Sequence, residues 1–529
     1  MRRWNGWGEE DIDRPLSDGT KDLLEAALGK GPELHDAELV DVLAAVDRRK
    51  SRLPDHPLVS KDPEARLRAS YGQSCPDWFA LRFGEIRRVS DGAAFPETGD
   101  DVRALLDWAA EAGAMVIPCG GATSVVGHLT PPEGDRPVLT LSMTRMDRLL
   151  DLNETAQLAR FQAGVAGPRL EAQLGEKGWT LGHFPQSFDY ASLGGWIVTR
   201  SSGQQSARYG RIEALFAGGV VETPTGRLMI PALPASAAGP DLREFVLGSE
   251  GRIGVLTEAV MRVSRKPEQE IFAGLFFPDW ERGEAAARAI AQARLGVSML
   301  RLSNPMETMT TLKLSGQTIK SIPFGCVLLM LGFTGDAAGV DHMRARAAEI
   351  AGANGANDVD EKTSLALGET WKAGRFQSVY MRNSLWCSGY AVDTMETAVN
   401  WPQTTAMMNA IESAGRAALE KFGEQTLVTT HLSHVYPQGS SVYTTFIFRV
   451  GSDYQTSLER WRALKGAVSE AIVANGGTIS HQHGVGKDHA PYLEAEKSPQ
   501  GLRAIADMIA GFDPRGVMDS GNLIGPDDA

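Results

Sequence analysis

Apolar residues recur at three- and four-residue intervals over 36–49, where Leu39, Val42, Leu43 and Val46 predict an amphipathic helix. The same spacing predicts helices at 101–112 and 282–295. Between them the pattern shortens to apolar runs bounded by glycine and proline, which predicts strands at 115–118, 138–141, 158–161 and 217–221, the last turning at Thr223-Pro224-Thr225-Gly226. A longer apolar run gives a strand at 325–333, and alternation gives another at 442–448. Helices and strands interleave from about residue 86 onward, so the fold class is α+β, preceded by a helical stretch.

At 529 residues, 43% of them apolar, the chain exceeds what one core organises and divides into several units. The changes of pattern place these at 1–85 (N-terminal helical segment), 86–266 (glycine loops between short strands), 267–450 (an α+β cap) and 451–529 (C-terminal segment). There is no internal repeat, and the tail Gly525-Pro526-Asp527-Asp528-Ala529 is expected to fray.

Charge and cysteine usage narrow the function. Lys+Arg 53 against Asp+Glu 66 gives −13, which excludes a nucleic-acid partner and requires any anion site to be a local cluster. Cys75, Cys119, Cys326 and Cys387 lie far apart without metal or disulfide spacing, which fits a reducing, cytoplasmic setting. The chain opens without an apolar leader, and its longest apolar run, 326–333, is far below the ~20 residues that span a bilayer. Peripheral membrane contact and a homodimer stay open.

Three stretches concentrate glycine and small hydroxyl residues: Pro118-Cys119-Gly120-Gly121-Ala122-Thr123-Ser124; Gly182-His183-Phe184-Pro185-Gln186-Ser187 with Ser192-Leu193-Gly194-Gly195-Trp196-Ile197-Val198-Thr199-Arg200-Ser201-Ser202-Gly203; and Gly248-Ser249-Glu250-Gly251-Arg252-Ile253-Gly254-Val255. Glycine lets backbone amides approach a phosphate, and the hydroxyls add donors. Neither G-x-G-x-x-G nor G-x-x-x-x-G-K-[ST] is present, so a Rossmann dinucleotide site and a P-loop are disfavoured.

The order of these loops resembles the two-subdomain FAD-binding domain of the vanillyl-alcohol oxidase (PCMH-type) family, which assigns 86–266 to FAD and 267–450 to a substrate cap. A narrower resemblance, to the alkyldihydroxyacetonephosphate synthases, rests on Arg3-Trp4-Asn5-Gly6-Trp7-Gly8, Gly194-Gly195-Trp196, Arg382 and His481-Gln482-His483-Gly484-Val485-Gly486-Lys487, and spans nearly the whole chain. It implies that Pro118 to Ser124 wrap the FAD pyrophosphate, that Gln186, Ser187, Ser192, Gly195, Val198, Thr199, Arg200 and Ser201 run beside the dinucleotide, and that Glu250, Gly251, Ile253, Gly254 and Val255 hold its adenosine end. Ala122 stands where some relatives bond a histidine to the flavin, so FAD is expected to be non-covalent.

The family exchanges the acyl group of an acyl-dihydroxyacetone phosphate for a fatty alcohol through a flavin N5 adduct, without net redox. By resemblance Tyr443 is the acid/base, Arg382 the phosphate ligand, Arg301 a structural or substrate cation, Lys487 a further cation, and His481, Gln482 and His483 surround the reacting carbon. A phenol near pKa ~10 shuttles protons only if its neighbours adjust it. Tyr436 competes with Tyr443 for that role; His183 and His434 read equally as packing or site residues, and His489 reads as exposed.

The chain departs from the synthase pattern at two places. Gln482 replaces the middle of three histidines, and Gln186 stands where an acid is expected. The alternative function is an FAD-linked oxidase or dehydrogenase of a 2-hydroxy acid or another alcohol, by hydride transfer to flavin N5. The metal-dependent relatives of that kind use two histidines and a glutamate; here only His434 matches, with Tyr443 and Gln482 in the other places, so no metal is expected. A non-catalytic flavoprotein is the third class, disfavoured by the joint presence of Tyr443, Arg382 and the two histidines.

Overall fold

The computed structural model describes residues 1–314, 325–357 and 359–524; the tail expected to fray lies outside the described residues. Residues 59–142 form a four-stranded sheet in the order Val59–Ser60, Gly92–Ala94, Val138–Ser142, Met115–Cys119. Its last three strands run parallel, with the helix Gly99–Glu111 covering them. That helix starts where Thr98 and Asp101 close a reciprocal capping box, two residues before the periodicity alone places it.

A five-stranded antiparallel sheet follows: Leu149–Asn153, Leu158–Gln162, Val255–Arg262, Phe216–Thr223, Gly226–Ile230. The cap is a six-stranded antiparallel sheet in the order Gln269–Phe277, Val327–Gly335, Met299–Ser303, Thr426–Val435, Gly439–Arg449, Tyr390–Asn400. Register decides what faces what here. Tyr443 lies opposite Glu396 on one side and His431 on the other, and directly paired residues share a face of the sheet. One continuous core runs from the five-stranded sheet into the cap.

Two expectations change. The N-terminal region carries four helices but also contributes Val59–Ser60 to the first sheet and sends Trp7 into the main core, where Asn383 receives the Trp7 amide and donates back to its carbonyl. His489 is buried, with Nδ1 against the Gly484 carbonyl at 3.0 Å, because the C-terminal segment folds back over the cavity and is not a surface tail. The long helix Glu494–Phe512 breaks at Ser498, where φ is 61° ahead of Pro499. No helix among the described residues is long and apolar enough to cross a membrane.

Candidate active site

A cavity of about 440 Å³ lies between the two smaller sheets and the cap sheet, and parts of all three glycine loops reach it. The first loop leaves the strand Met115–Cys119 and packs so tightly on the second that a Cβ on Gly121 would sit 1.7 Å from the Tyr190 carbonyl oxygen, and one on Gly120 2.0 Å from Ser192 Oγ. Glycine is required there by contact between two backbones. Ala122 follows in the left-handed region at φ 54°, so the turn carries strain that a β-branched residue could not hold.

Pro118, Gly120, Gly121, Ala122, Thr123 and Ser124 line the cavity, as do Gln186, Ser187, Ser192, Gly195, Val198, Thr199 and Ser201. Other residues expected at the cofactor do not. Cys119 turns into a separate apolar cluster with Ile117 and Leu129. Arg200 reaches outward to Glu244 at 3.0 Å. Of the third loop only Glu250 lines the cavity: Ile253 and Val255 are core residues, Gly251 packs on Pro118, and Gly254 lies against the Glu222 carbonyl of the neighbouring strand.

Glu250 ties three segments together. Its carboxylate accepts the amides of Val485 (2.5 Å) and Gly486 (2.8 Å) and faces His128 Nε2 at 2.9 Å, while His128 Nδ1 meets Ser124 Oγ at 2.5 Å. Glu396 does the same for the preceding residues, accepting the amides of His481, Gln482 and His483. Neither carboxylate's reach to the C-terminal loop is readable from local sequence.

Tyr443 lines the cavity with its ring stacked on His431 (4.9 Å between centroids) and edge-on to His483 (5.8 Å). Burial pushes its phenol up to about 12, against the pull of a hydrogen bond to Thr394. His431 Nδ1 meets Glu307 at 3.0 Å, and Arg301 donates to the same carboxylate while lying 3.1 Å from that nitrogen. Burial alone would raise the Glu307 carboxyl, yet the adjacent His431 and Arg301 hold it at about 2. Arg301 therefore lines the cavity with its charge already paired, which favours its structural reading.

Arg382 differs. Its guanidinium lies over the Trp78 ring at 4.2 Å, donates to the Gln73 carbonyl at 2.6 Å, lines the cavity, and makes no ion pair among the described residues. Lys487 is turned away: its buried ammonium donates to the Thr130 carbonyl, burial lowers it to about 8, and it does not reach the cavity. It is removed from the substrate-binding set.

Gln482 and His483 line the cavity; His481 stands behind them, with Nε2 held by Arg211 Nη1 and Tyr436 Oη, each at 2.6 Å. Tyr436, held by the same bonds, is not on the cavity wall, whereas Tyr443 is. His434 does line the cavity, with Nδ1 3.1 Å from Ser202 Oγ. Burial, reinforced by Arg211, lowers His434 to about 3; His183, packed against Trp196 and bonded to Ser201, falls to about 3 for the same two reasons. Gln73 and Asp393, which no sequence pattern points to, also line the cavity, as does Trp7 of the N-terminal motif.

Glycine backbone and hydroxyl groups at one end, and a tyrosine, histidines and arginines at the other, are the donor set that would hold a dinucleotide by its phosphates and leave a reactive ring beside titratable groups. Two sequence families match in series: "FAD binding domain" over residues 90–230 and "FAD linked oxidases, C-terminal domain" over 266–523. An alkyldihydroxyacetonephosphate synthase of Dictyostelium discoideum is 29% identical over 493 residues, 89% of this chain and 79% of that one. A mitochondrial D-lactate dehydrogenase (cytochrome) of Arabidopsis thaliana is 27% identical over 447 residues, 84% of this chain and 75% of that one. Among solved structures, one of alkyldihydroxyacetonephosphate synthase superposes with TM-score 0.79 at 24% identity, covering 98% of this chain and 96% of that one. The chain is thus an FAD-dependent enzyme that carries an FAD binding domain followed by an FAD linked oxidase C-terminal domain, and it is similar along most of its length to alkyldihydroxyacetonephosphate synthases.

Proposed function

We propose that the protein exchanges the acyl group of an acyl-dihydroxyacetone phosphate for a fatty alcohol. The observation that carries this reading is Arg382: a cation on the cavity wall, braced by Trp78 and Gln73 and unpaired among the described residues, which suits a phosphate-bearing substrate better than an uncharged alcohol. Residues 120–124, Ser192 and Ser201 would hold FAD, non-covalently because Ala122 offers no nucleophilic side chain and the His128 ring is turned to Ser124 and Glu250. Bound there, the flavin supplies an electron-rich centre at which groups on a substrate carbon are exchanged without net redox.

The proton traffic belongs to the chain. Burial lowers His483 from the usual imidazole range, so the ring is neutral at pH 7 and able to take a proton from the substrate carbon. The Tyr443 phenol, held protonated, donates to the departing carboxylate or orients the entering alcohol. Arg382 fixes the phosphate so that the carbon stays between them.

A second reading keeps one observation in its favour: His434, neutral and on the cavity wall, could serve as base for a 2-hydroxy acid. One experiment separates the two. Purified holoprotein given palmitoyl-dihydroxyacetone phosphate and hexadecanol is expected to release palmitate and form the ether product with the flavin still oxidised. Anaerobic bleaching of the flavin by a 2-hydroxy acid, with no ether product, overturns the proposal.

A further inference from the structure

Glu396 sits in the strand Tyr390–Asn400, 2% exposed, and pairs across the sheet with Tyr443. Its carboxylate accepts four hydrogen bonds from one loop: His481 N at 2.7 Å, Gln482 N at 3.0 Å, His483 N at 3.0 Å and Ser480 Oγ at 2.8 Å. Three successive amides converging on one carboxylate make an anion nest built inside the protein. No lysine or arginine pairs with Glu396 among the described residues; its nearest ring nitrogens are His483 Nδ1 at 3.6 Å and His481 Nδ1 at 3.9 Å.

Both of those nitrogens are buried without a hydrogen-bond partner and lie beside the Glu396 carboxylate at ion-pair distance. The tautomer of His481 follows from the donor inventory. Arginine has no acceptor, so Nε2, which takes the Arg211 bond, must be the bare nitrogen and Nδ1 must carry the proton. That N–H lies on the side of the ring nearest Glu396. His483 presents the same nitrogen to the same carboxylate, at the shorter distance, while its ring also lines the cavity beside Tyr443.

We propose that Glu396 is a positioning residue: it fixes residues 480–483 through their amides and holds the proton of His483 on Nδ1, so that Nε2 is the bare nitrogen offered to the cavity. The inference rests on the reading above only in giving His483 a proton to accept; the tautomer itself does not depend on which reaction is run. A carboxylate is required because it is an acceptor only, whereas a glutamine would set its NH₂ against one of the four donors.

The wild-type holoenzyme supplies the first test. With histidine side chains labelled in ¹⁵N, and the His483 resonance assigned by its loss in His483→Gln, the Nδ1-protonated tautomer is expected at pH 7.5; an Nε2-protonated ring overturns the proposal without any Glu396 variant having to fold. The second test is Glu396→Gln, with Glu396→Asp as the charge-retaining comparison. Glu396→Gln is expected to retain FAD by absorbance, lower kcat about tenfold or more while KM moves little, and shift the acid limb of the rate to lower pH because a raising influence on His483 is lost. The other groups facing that ring, Asp393 and Lys465 from the flanking elements, Tyr443, and His481 and His489 from its own segment, are unchanged by the substitution. Glu396→Asp is expected to restore most of the pH profile. A Glu396→Gln enzyme with wild-type kcat and pH profile overturns the proposal; absence of ether product from wild-type protein overturns the proposed function and leaves the tautomer test standing.

Discussion

The first glycine loop and the loop of residues 480–486 both bend toward the same cavity, yet they are built by opposite means. In the first, Gly121 removes a side chain so that two backbones touch, and Gly120 makes room for the Ser192 side chain. In the second, two carboxylates from distant strands or loops, Glu396 and Glu250, take up the amides of five residues, His481 through His483 and Val485 with Gly486. Steric absence shapes the floor, and buried charge shapes the wall. The two should fail differently: damage to the floor removes the cofactor and the fold together, while damage to the wall leaves a folded flavoprotein that turns over slowly.

Gly121→Ala tests the floor and should have the largest effect. Its Cβ has nowhere to go but into a main-chain oxygen, so a loss of about 3 kcal/mol in denaturant unfolding is expected, with protein that purifies without flavin absorbance. Gly195→Ala is the control within the neighbouring loop: the nearest atom to its Cβ is Ser192 Oγ at 3.2 Å, a side chain that can rotate, and the position is helical. It should keep its stability, whatever a methyl on the cavity wall does to FAD. Equal behaviour of the two variants breaks the steric account.

On the wall, Tyr443→Phe should lower turnover by about 10²–10³-fold with FAD retained, because the ring keeps its stacking on His431 and only the hydroxyl that meets Thr394 is lost. Tyr436→Phe, removing a hydroxyl that touches His481 and Arg211 behind the wall, should cost about tenfold or less. Steady-state rates on matched FAD content decide the order, and a reversal would move the acid/base from Tyr443 to Tyr436.

The same contrast governs what could be read from the sequence. The floor was legible because its determinants are local: a run of glycines and hydroxyls after an apolar strand carries its own explanation in the missing Cβ atoms. Strand periodicity likewise located residues 442–448 within the observed Gly439–Arg449, and hence Tyr443. The wall was not legible. Nothing near Glu396 in sequence links it to His481, 85 residues on, and the pairing exists only once the strand Tyr390–Asn400 lies beneath the returning C-terminal segment. Lys487 misled for the same reason, since its place in a shared motif said nothing of the Thr130 carbonyl that holds its ammonium away from the cavity. Arg200 and Ile253 share motifs with cavity residues but face the surface and the core, because alternate residues of a tight loop point to opposite sides.

Acid should weaken the wall next. His183 and His434 are held down at about 3, chiefly by burial, whereas in the unfolded chain each binds a proton near pH ~6.5. A depressed folded value means stability is whole above the unfolded value and is lost as pH falls from there toward the folded one. Asp488 opposes this, since burial raises it to about 6 and it takes up its proton earlier when folded. The two histidines outweigh the one carboxyl, and His431, His481, His483 and His489, also lowered by burial, act in the same sense, so unfolding free energy should drop by at least about 2–3 kcal/mol between pH 7 and pH 5. Denaturant titrations at the two pH values measure it, and a flat profile would mean that these imidazoles are not neutral in the folded protein.

The smallest effect, and the sharpest use of the comparison, is expected at Gln482. Its backbone amide is held by Glu396 at 3.0 Å, so the loop's shape does not depend on what side chain it carries; that side chain lines the cavity with His434 and leaves Oε1 buried without a hydrogen-bond partner. An amide cannot accept a proton near neutral pH, whereas an imidazole can. Gln482→His should therefore keep the fold and the FAD content and raise the rate of acyl-for-alkoxy exchange by about 3- to 10-fold, with the gain largest above pH 7, where the new ring is unprotonated. If the rate is unchanged while FAD stays bound, the proton passes through His483 and Tyr443 alone, and position 482 serves the wall only through the amide that Glu396 already holds.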